Sequence, residues 1–540
     1  MKTLCSPSPG LQLRYFASAC VWIAVCVFIT SEGQAITAQS EQPPQVLIDA
    51  GTLQGARDAS GVFVFRGIPY AAPPVQQLRW RPPHAVEHWS GIRPATAFGA
   101  RCPQQGSPGG SEDCLFLNVW TATTDTGARR PVIVWIHGGG GVGGTGAAPA
   151  QDGRALAAKG AVVVTLNHRL GLLGYLAHPA LSAESPQHVS GNYALLDQIA
   201  VLQWVQRNIA GFGGDAARVT LAGASAGARS VATLLVSPLA SGLFHRAILQ
   251  SGTGMNDAVE SREAAEAHGV RVAEMLGITE TTAAAASTLR ASSPETLVST
   301  FSKWRLVIEG PPAPTIARSV IDGWAIPQPV DKAMQAGTFH PVPILIGTNA
   351  DEGTVAIRDT PMQSASELHD ALRRWYHDAE GILARTYPVS NANAILPTLQ
   401  RLWGDESYGA PSRAFARLAA GRGNAVYVYH FTRVGEGPVQ APGAFHGSET
   451  WFAFGQSALD ASLGHTRYDA SLARTMSDYW VAFAASGDPN GSDRTRWPRY
   501  NAAADEYLEL GRDIRTKRGL RSVEWDALDR LARSHGAIRP

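Results

Sequence analysis

The sequence predicts an α/β fold with a mostly parallel central sheet, helices on both faces of the sheet and helical cap insertions. Short apolar runs rich in β-branched residues, typical of buried parallel strands, recur along the chain at 132–136, 161–166, 219–221, 343–346 and 425–429. Segments with apolar residues at helical spacing lie between these runs, the clearest being 192–208. Such alternation indicates helices packed on both sides of a parallel sheet.

Composition and charge limit the function classes. The chain has 540 residues, of which 45% are hydrophobic and 17% are charged, so it has enough apolar material for a large core. Its 46 Lys and Arg residues are balanced by 45 Asp and Glu residues, so no net field favours nucleic acid or an anionic membrane. We expect no nucleic-acid partner. Length alone suggests several domains, but the motifs of one site extend over most of the chain, which predicts a single domain over 45–540.

The N-terminus has the layout of a secretory signal peptide. Basic residues precede an apolar run over 15–29, and small and polar residues follow it up to Ala35. The run is shorter than the ~20 residues that a membrane-spanning helix needs. We therefore predict a signal peptide over 1–35, a linker over 36–44 and a periplasmic or secreted mature protein without stable membrane association. A single membrane anchor is the alternative.

Cysteine usage agrees with export. Three of the five cysteines lie in the predicted leader, which leaves Cys102 and Cys114 in the mature chain. Two cysteines that close a short loop in an exported protein predict a disulfide. Two free buried thiols are the alternative, which an oxidising compartment disfavours.

A strand-like segment at 218–222 leads directly into a Gly-Ala-Ser-Ala-Gly turn at 223–227, and a helix-like segment follows over 228–235. The pattern G-x-S-x-G carries meaning in this strand–turn–helix context, where it exposes a nucleophilic serine above the sheet. The N-terminus of the following helix also favours negative charge at the site. We predict that Ser225 is a nucleophile. A tight turn with an ordinary serine is the alternative.

A second glycine-rich segment, His-Gly-Gly-Gly-Gly at 137–141, follows the strand-like run at 132–136. Glycines allow backbone N–H groups to point at a bound oxyanion, and we assign this role to Gly139, Gly140 and Ala226. Residues 139–144 also fit the dinucleotide pattern G-x-G-x-x-G, but no acidic residue stands about twenty positions later to bind a ribose. We expect no organic cofactor. We also expect no metal, because no His/Cys cluster has metal-ligand spacing.

A nucleophilic serine needs a base, and the base needs a carboxylate that orients it. In hydrolases with this motif the chain order is Ser, acid, His. Asp351 and Glu352 follow the apolar run at 343–346, and position alone leaves both open as the acid. His446 lies in a loop after the run at 425–429 and is the best candidate for the base. Three other downstream histidines are expected to be structural or solvated: His430, His465 and His535.

Several longer segments together resemble the type-B carboxylesterase family, which includes cholinesterases, liver carboxylesterases and bacterial para-nitrobenzyl esterases. These segments are FRGIPYA at 65–71, EDCLFLNV at 112–119, residues 212–227, GTN at 347–349 with DEG at 351–353, and HG at 446–447 with Glu449. The resemblance extends from about residue 45 to the end of the chain. It implies one large α/β-hydrolase domain that hydrolyses small-molecule carboxylic esters through an acyl-enzyme. It also implies Glu352 as the acid and a Cys102–Cys114 bridge.

Two departures from the family bear on the substrate. Cholinesterases carry a Trp in the loop closed by the corresponding cysteines, where it stacks on a quaternary ammonium. Residues 103–113 contain no aromatic residue, so we do not expect a choline ester. The position four after the nucleophile is usually small and here is Arg229. We expect Arg229 to be held in a buried ion pair, since Arg is rarely buried alone; the alternative is that its guanidinium reaches the acyl pocket.

Three other functional readings remain open from the sequence. The first is a general carboxylesterase of the para-nitrobenzyl-esterase type. The second is a lipase in which the insert over 255–340 is an interfacial lid; within it, the Ala- and Thr-rich stretch 260–300 predicts surface helices that form part of a cap. The third is a catalytically silent adhesion module, which the retention of all three candidate catalytic residues disfavours.

Overall fold

The computed structural model describes residues 42–106, 109–255, 259–308, 319–378, 380–436, 442–456, 464 and 466–534. Its strands are β1 Gln45–Ile48, β2 Gly51–Gln54, β3 Ala56–Arg57, β4 Phe63–Pro69, β5 Ile92–Pro94, β6 Phe116–Thr121, β7 Arg130–Ile136, β8 Val162–Leu166, β9 Gly214–Ala224, β10 Arg246–Gln250, β11 Glu260–Ser261, β12 Val320–Ile321, β13 Ile344–Asn349, β14 Val426–Phe431, β15 Glu506–Leu510 and β16 Ile514–Arg518. Its α-helices are α1 Arg154–Ala158, α2 Gly171–Tyr175, α3 Pro179–Glu184, α4 Tyr193–Asn208, α5 Ala226–Val236, α6 Arg262–Met275, α7 Ala283–Ala291, α8 Pro294–Ile308, α9 Val330–Ala336, α10 Ala365–Tyr376, α11 Ile382–Thr386, α12 Ile395–Gly404, α13 Ala410–Gly421, α14 Glu449–Ala453, α15 Arg467–Ser486 and α16 Ser522–Ser534.

The central sheet is parallel in its middle and antiparallel at both edges. Over the described residues it contains eleven strands in the spatial order β16-β15-β14-β13-β10-β9-β7-β8-β6-β4-β3. The strands from β15 to β8 in this order pair in parallel. β16 on one side and β6, β4 and β3 on the other pair antiparallel. All parallel strands therefore present their carboxyl ends along one edge of the sheet.

Apolar clusters cover both faces of the sheet. Along β7, Val132, Val134 and Ile136 belong to a cluster that also contains residues of α4 and α5. The intervening Ile133 and Trp135 belong to a second cluster, formed with residues of α15. Successive side chains of a strand point to opposite faces, so helices must bury both faces of β7. Each fully buried Val or Ile side chain stabilises the fold by roughly 1.5–3 kcal/mol. The predicted α/β class is confirmed.

The predicted elements appear at their predicted places. The five apolar runs form β7, β8, β9, β13 and β14, and the helical segment 192–208 forms α4. The stretch 260–300 is helical as predicted, as α6, α7 and part of α8. These helices share an apolar cluster with α2 and α3. A second helical layer, which the sequence did not indicate, is formed by α10, α11, α12 and α16 around their own cluster.

Cys102 and Cys114 form the predicted disulfide. The chain from Pro43 to Pro540 forms one compact unit. The predicted signal peptide over 1–35 and residues 36–41 of the predicted linker lie outside the described residues. Among the described helices, none is long and apolar enough to cross a membrane.

Candidate active site

Ser225 occupies a sharp turn between the end of β9 at Ala224 and the start of α5 at Ala226. Its backbone has φ +57° and ψ −123°, a conformation that costs a non-glycine residue about 1–3 kcal/mol. Its N–H donates to the Gln250 carbonyl oxygen at 2.8 Å. A Cβ at Gly227 would lie 2.1 Å from the Ile136 carbonyl oxygen, so only glycine allows α5 to approach β7 this closely. The turn raises Ser225 above the carboxyl edge of the sheet.

The predicted oxyanion loop packs directly against this turn. A Cβ at Gly138 would lie 3.1 Å from the Ser225 Cβ, which leaves no room for a side chain between them. The N–H groups of Gly139, Gly140 and Ala226 make no hydrogen bond to any described part of the chain. Three unpaired donors therefore stand beside the nucleophile turn, as an oxyanion hole requires.

Two buried histidines support the loop, and no sequence pattern indicated that they pair. His137 Nδ1 lies 2.8 Å from the Gly138 carbonyl oxygen, and the His137 ring stacks on His168 at 4.6 Å between centroids. Burial, and secondarily the neighbouring His168, lower the pKa of His137 to about 3. Burial lowers the pKa of His168 to about 4. Both rings are neutral at physiological pH, so a neutral His137 donates to Gly138 and fixes the loop.

Glu352 and His446 meet at the end of β13. His446 Nδ1 lies 2.6 Å from Glu352 Oε2, while Glu352 Oε1 accepts from Ser251 Oγ at 2.5 Å and from the Asn349 N–H at 2.7 Å. Burial of the His446 ring lowers its pKa, but the charge of Glu352 and the hydrogen bond to it raise the pKa by more, so the net shift is upward from 6.5. The arrangement fixes the Nδ1–H tautomer and leaves Nε2 as a proton acceptor.

Asp351, the other acid that the sequence left open, holds the His446 loop. Its Oδ2 accepts from the Ala444 N–H at 2.8 Å, and its own N–H donates to the Ala444 carbonyl oxygen at 3.0 Å. Only Glu352 of this pair contacts His446. The geometry therefore favours Glu352 as the orienting carboxylate and gives Asp351 a supporting role.

A second carboxylate, Glu449, lies buried behind the first. It accepts hydrogen bonds from Gln250 Nε2 at 2.9 Å and from Asn349 Nδ2. Burial, together with the charge of Glu352, raises its pKa. The sequence singled out Glu449 as part of a motif but gave it no role, and Gln250 carries no sequence signal because its contact partner is 199 positions away.

Arg229 lies on the first turn of α5, where its N–H donates to the Ser225 carbonyl oxygen at 3.0 Å. The residue is half-buried. Its positive charge opposes protonation of His446 and also acts on Tyr175, where burial is the main cause of a pKa of about 12. The charge of Arg229 therefore acts on His446.

The other histidines weighed as the base are His430, His465 and His535. His430 is buried within β14, and burial lowers its pKa to about 4, which agrees with a structural role. His465 and His535 lie outside the described residues.

Comparison with known proteins places the chain in a family. A sequence profile of the carboxylesterase family matches residues 42–527. The chain belongs to this family. It is 35% identical over 521 residues to a Sphingopyxis macrogoltabida protein named fumonisin B1 esterase, which covers 93% of each chain. It is 31% identical to the liver carboxylesterase of Sus scrofa, over 96% of this chain and 99% of that protein.

Solved structures agree. The fold is similar to that of a PNB esterase with a TM-score of 0.77 at 33% identity, covering 90% of this chain and 99% of the esterase. The family predicted from the motifs and the α/β-hydrolase fold are confirmed. This carboxylesterase is a carboxylic ester hydrolase.

Proposed function

We propose that this carboxylesterase works through a Ser225–His446–Glu352 triad and an acyl-enzyme intermediate. The observation that carries the proposal is the 2.6 Å contact between His446 Nδ1 and Glu352 at the same sheet edge as the strained Ser225 turn. A base oriented by a buried carboxylate near a serine is the arrangement that activates a hydroxyl nucleophile.

The first half-reaction acylates the serine. Ser225 Oγ attacks the ester carbonyl carbon while His446 Nε2 takes the hydroxyl proton, and Glu352 stabilises the resulting imidazolium. The N–H groups of Gly139, Gly140 and Ala226 bind the oxyanion, and one such donor contributes about 3 kcal/mol to the transition state. The C–O bond to the alcohol then breaks, and His446 gives its proton to the leaving oxygen.

The second half-reaction uses water in place of serine. His446 takes a proton from water, the hydroxide adds to the acyl carbon, and the Ser225 ester bond breaks to release the carboxylic acid. The proton returns from His446 to Ser225 Oγ. The cycle needs no cofactor or metal, because every proton moves between His446 and the reacting oxygens.

The pH dependence follows from the shifted base. The pKa of His446 lies above 6.5, so the imidazole is protonated and inactive over a wider acid range than a free histidine. We expect kcat/KM on a neutral ester to rise with pH, with an acid-limb midpoint above 6.5. A pH series between about 5 and 9 measures the midpoint. A flat profile, or a midpoint below 6.5, would contradict His446 as the base.

We propose a fumonisin-type ester as the substrate, with release of its tricarballylate side chains. The support is the 35% identity over 93% of both chains to the fumonisin B1 esterase. An acyl group with free carboxylates needs a cationic partner, and Arg229 is the candidate because guanidinium binds carboxylate in a bidentate manner. Its charge is already felt at His446.

The test is an ester panel of fumonisin B1, para-nitrophenyl acetate and an emulsified long-chain triglyceride. We expect hydrolysis of fumonisin B1, and we expect Arg229→Ala to raise KM for it by about tenfold or more while changing KM for the acetate little. Arg207→Ala is the matched control, because Arg207 is an exposed arginine of α4 that forms an ion pair with Asp49.

Other results of the ester panel would support one of the alternative functions. Cleavage of the acetate without fumonisin B1 would indicate a general esterase of the para-nitrobenzyl type. A jump in rate at the lipid surface would indicate a lipase with a lid over 255–340. Equal loss on both soluble esters in Arg229→Ala would mean that Arg229 is structural.

We also propose that the protein is exported and that residues 45–540 form its single catalytic domain. The leader-like N-terminal sequence and the Cys102–Cys114 disulfide support export. N-terminal sequencing of the mature protein should give a start near residue 36, whereas an intact N-terminus would contradict the predicted cleavage.

A further inference from the structure

Tyr408 lies face to face with the active-site histidine. Its ring stacks on His446 with centroids 4.6 Å apart and planes inclined by 15°, and its Oη lies 3.4 Å from His446 Nε2. Because the rings are nearly parallel, Oη approaches Nε2 from above the imidazole face. The Nε2 lone pair lies in the plane of the imidazole, so it stays open to a proton from Ser225.

Tyr408 lies on an irregular turn that hydrogen bonds hold to neighbouring helices. It belongs to the π-helical turn Asp405–Gly409 between α12 and α13, and such turns are frequent at functional sites. The buried Asp405 carboxylate accepts from Arg521 Nε and Nη2, both at 2.6 Å, and from Tyr387 Oη and Trp525 Nε1, both at 2.8 Å. The turn is therefore tied to α16.

A second aromatic ring, Trp403, makes a T-shaped contact with Tyr408. Trp403 meets the Tyr408 ring at 5.5 Å with planes inclined by 76°. An anchored turn and an edge contact together limit the movement of the tyrosine ring. The stack on His446 is therefore a fixed part of the site.

Charged groups reach His446 from several elements. Glu352, after β13, binds Nδ1, and Glu449 of α14 adds a second negative charge that favours the imidazolium. Arg229 of α5 opposes it. Tyr408 covers the face of the ring, and the face of an aromatic ring attracts a cation.

We propose that Tyr408 is a positioning residue for His446: its stacked aromatic ring stabilises the imidazolium that His446 forms during acylation and deacylation. The inference rests on the proposed function, since His446 acquires this charge only when it acts as the base. Nothing in the sequence motifs assigns a role to position 408.

The test compares Tyr408→Leu and Tyr408→Met, which remove the aromatic face, with Tyr408→Phe, which keeps it. We expect the first two to lower kcat about tenfold and to move the acid limb of kcat/KM down by about one pH unit, because the same lost stabilisation of the imidazolium sets both. Tyr408→Phe should stay within about threefold of wild type and keep the limb. Trp375→Leu, an exposed aromatic of α10, is the matched control and should match wild type.

Melting curves show whether Tyr408→Leu and Tyr408→Met are folded. The kinetics of a folded variant then decide whether Tyr408 has the proposed role. A folded Leu or Met variant with an unmoved acid limb, or with a change in KM alone, would overturn the inference. An equal loss of kcat in Tyr408→Phe would also overturn the inference, because the retained aromatic ring should preserve the activity. Ser225→Ala is measured alongside, and if this variant stays active, the proposed triad itself is wrong. If Ser225→Ala is inactive while the acid limb of the folded Tyr408 variant does not move, only the role of Tyr408 is wrong.

Discussion

Replacing Ser225 with alanine is expected to lower kcat on para-nitrophenyl acetate by on the order of a million-fold. The alanine side chain has no atom to form the acyl-enzyme, while the N–H groups of Gly139, Gly140 and Ala226, the proposed oxyanion donors, stay in place and should leave a small residual rate. The backbone of the turn is held by the Ser225 N–H to Gln250 hydrogen bond, which alanine keeps. The melting temperature should therefore stay close to that of the parent enzyme.

Ser230→Ala is the matched control for this experiment. Ser230 lies on the same helix, and its Oγ accepts from Gln198 Nε2 at 3.2 Å. Loss of this bond should cost about 1 kcal/mol of stability and leave kcat near the parent value. More than about a hundredth of the parent activity in Ser225→Ala would be incompatible with a serine nucleophile at this position.

Replacing Glu352 with glutamine is expected to lower kcat by on the order of ten-thousand-fold. Ser251 Oγ and the Asn349 N–H both donate to Oε1, so the glutamine must place its oxygen there and its NH₂ group toward His446. An NH₂ donor facing Nδ1 forces the imidazole proton onto Nε2. In that tautomer Nε2 cannot accept the Ser225 proton, so the base is lost while the packing is retained.

Asp351→Asn is the control for the acid assignment. Its oxygen can still accept from the Ala444 N–H, so we expect less than about tenfold loss of kcat. Kinetics of both variants on one soluble ester make the comparison. A larger loss in Asp351→Asn than in Glu352→Gln would transfer the acid role to Asp351.

The middle of the fold was predictable because its strands are buried on both faces. Strands such as β8, whose five residues are all buried, appear in the sequence as uninterrupted apolar runs. β10 was not predicted, since it begins with Arg246 and ends with Gln250, which leaves only three apolar residues between them. The antiparallel edge strand β16 was missed for a related reason: it is mostly exposed and polar, and it is placed by its pairing with β15.

The active site was predictable only where its geometry is local. The Ser225 turn follows from a strand, a turn and a helix that are contiguous in sequence. Asp351 and Glu352 are adjacent, and which of them meets His446 depends on a chain segment 94 positions away. Tyr408 was not predicted because its π-helical turn has no periodic signature and its contact with His446 spans 38 positions.

Covalent trapping tests the central claim most directly. The intact enzyme is incubated with diethyl para-nitrophenyl phosphate, whose phosphorus is attacked by a serine nucleophile with release of para-nitrophenolate, and peptides are then mapped by mass spectrometry. We predict one diethylphosphoryl group per chain, on Ser225, absent in Ser225→Ala and formed far more slowly in His446→Ala. An adduct on another residue, or full loss of activity with Ser225 unmodified, would contradict the account.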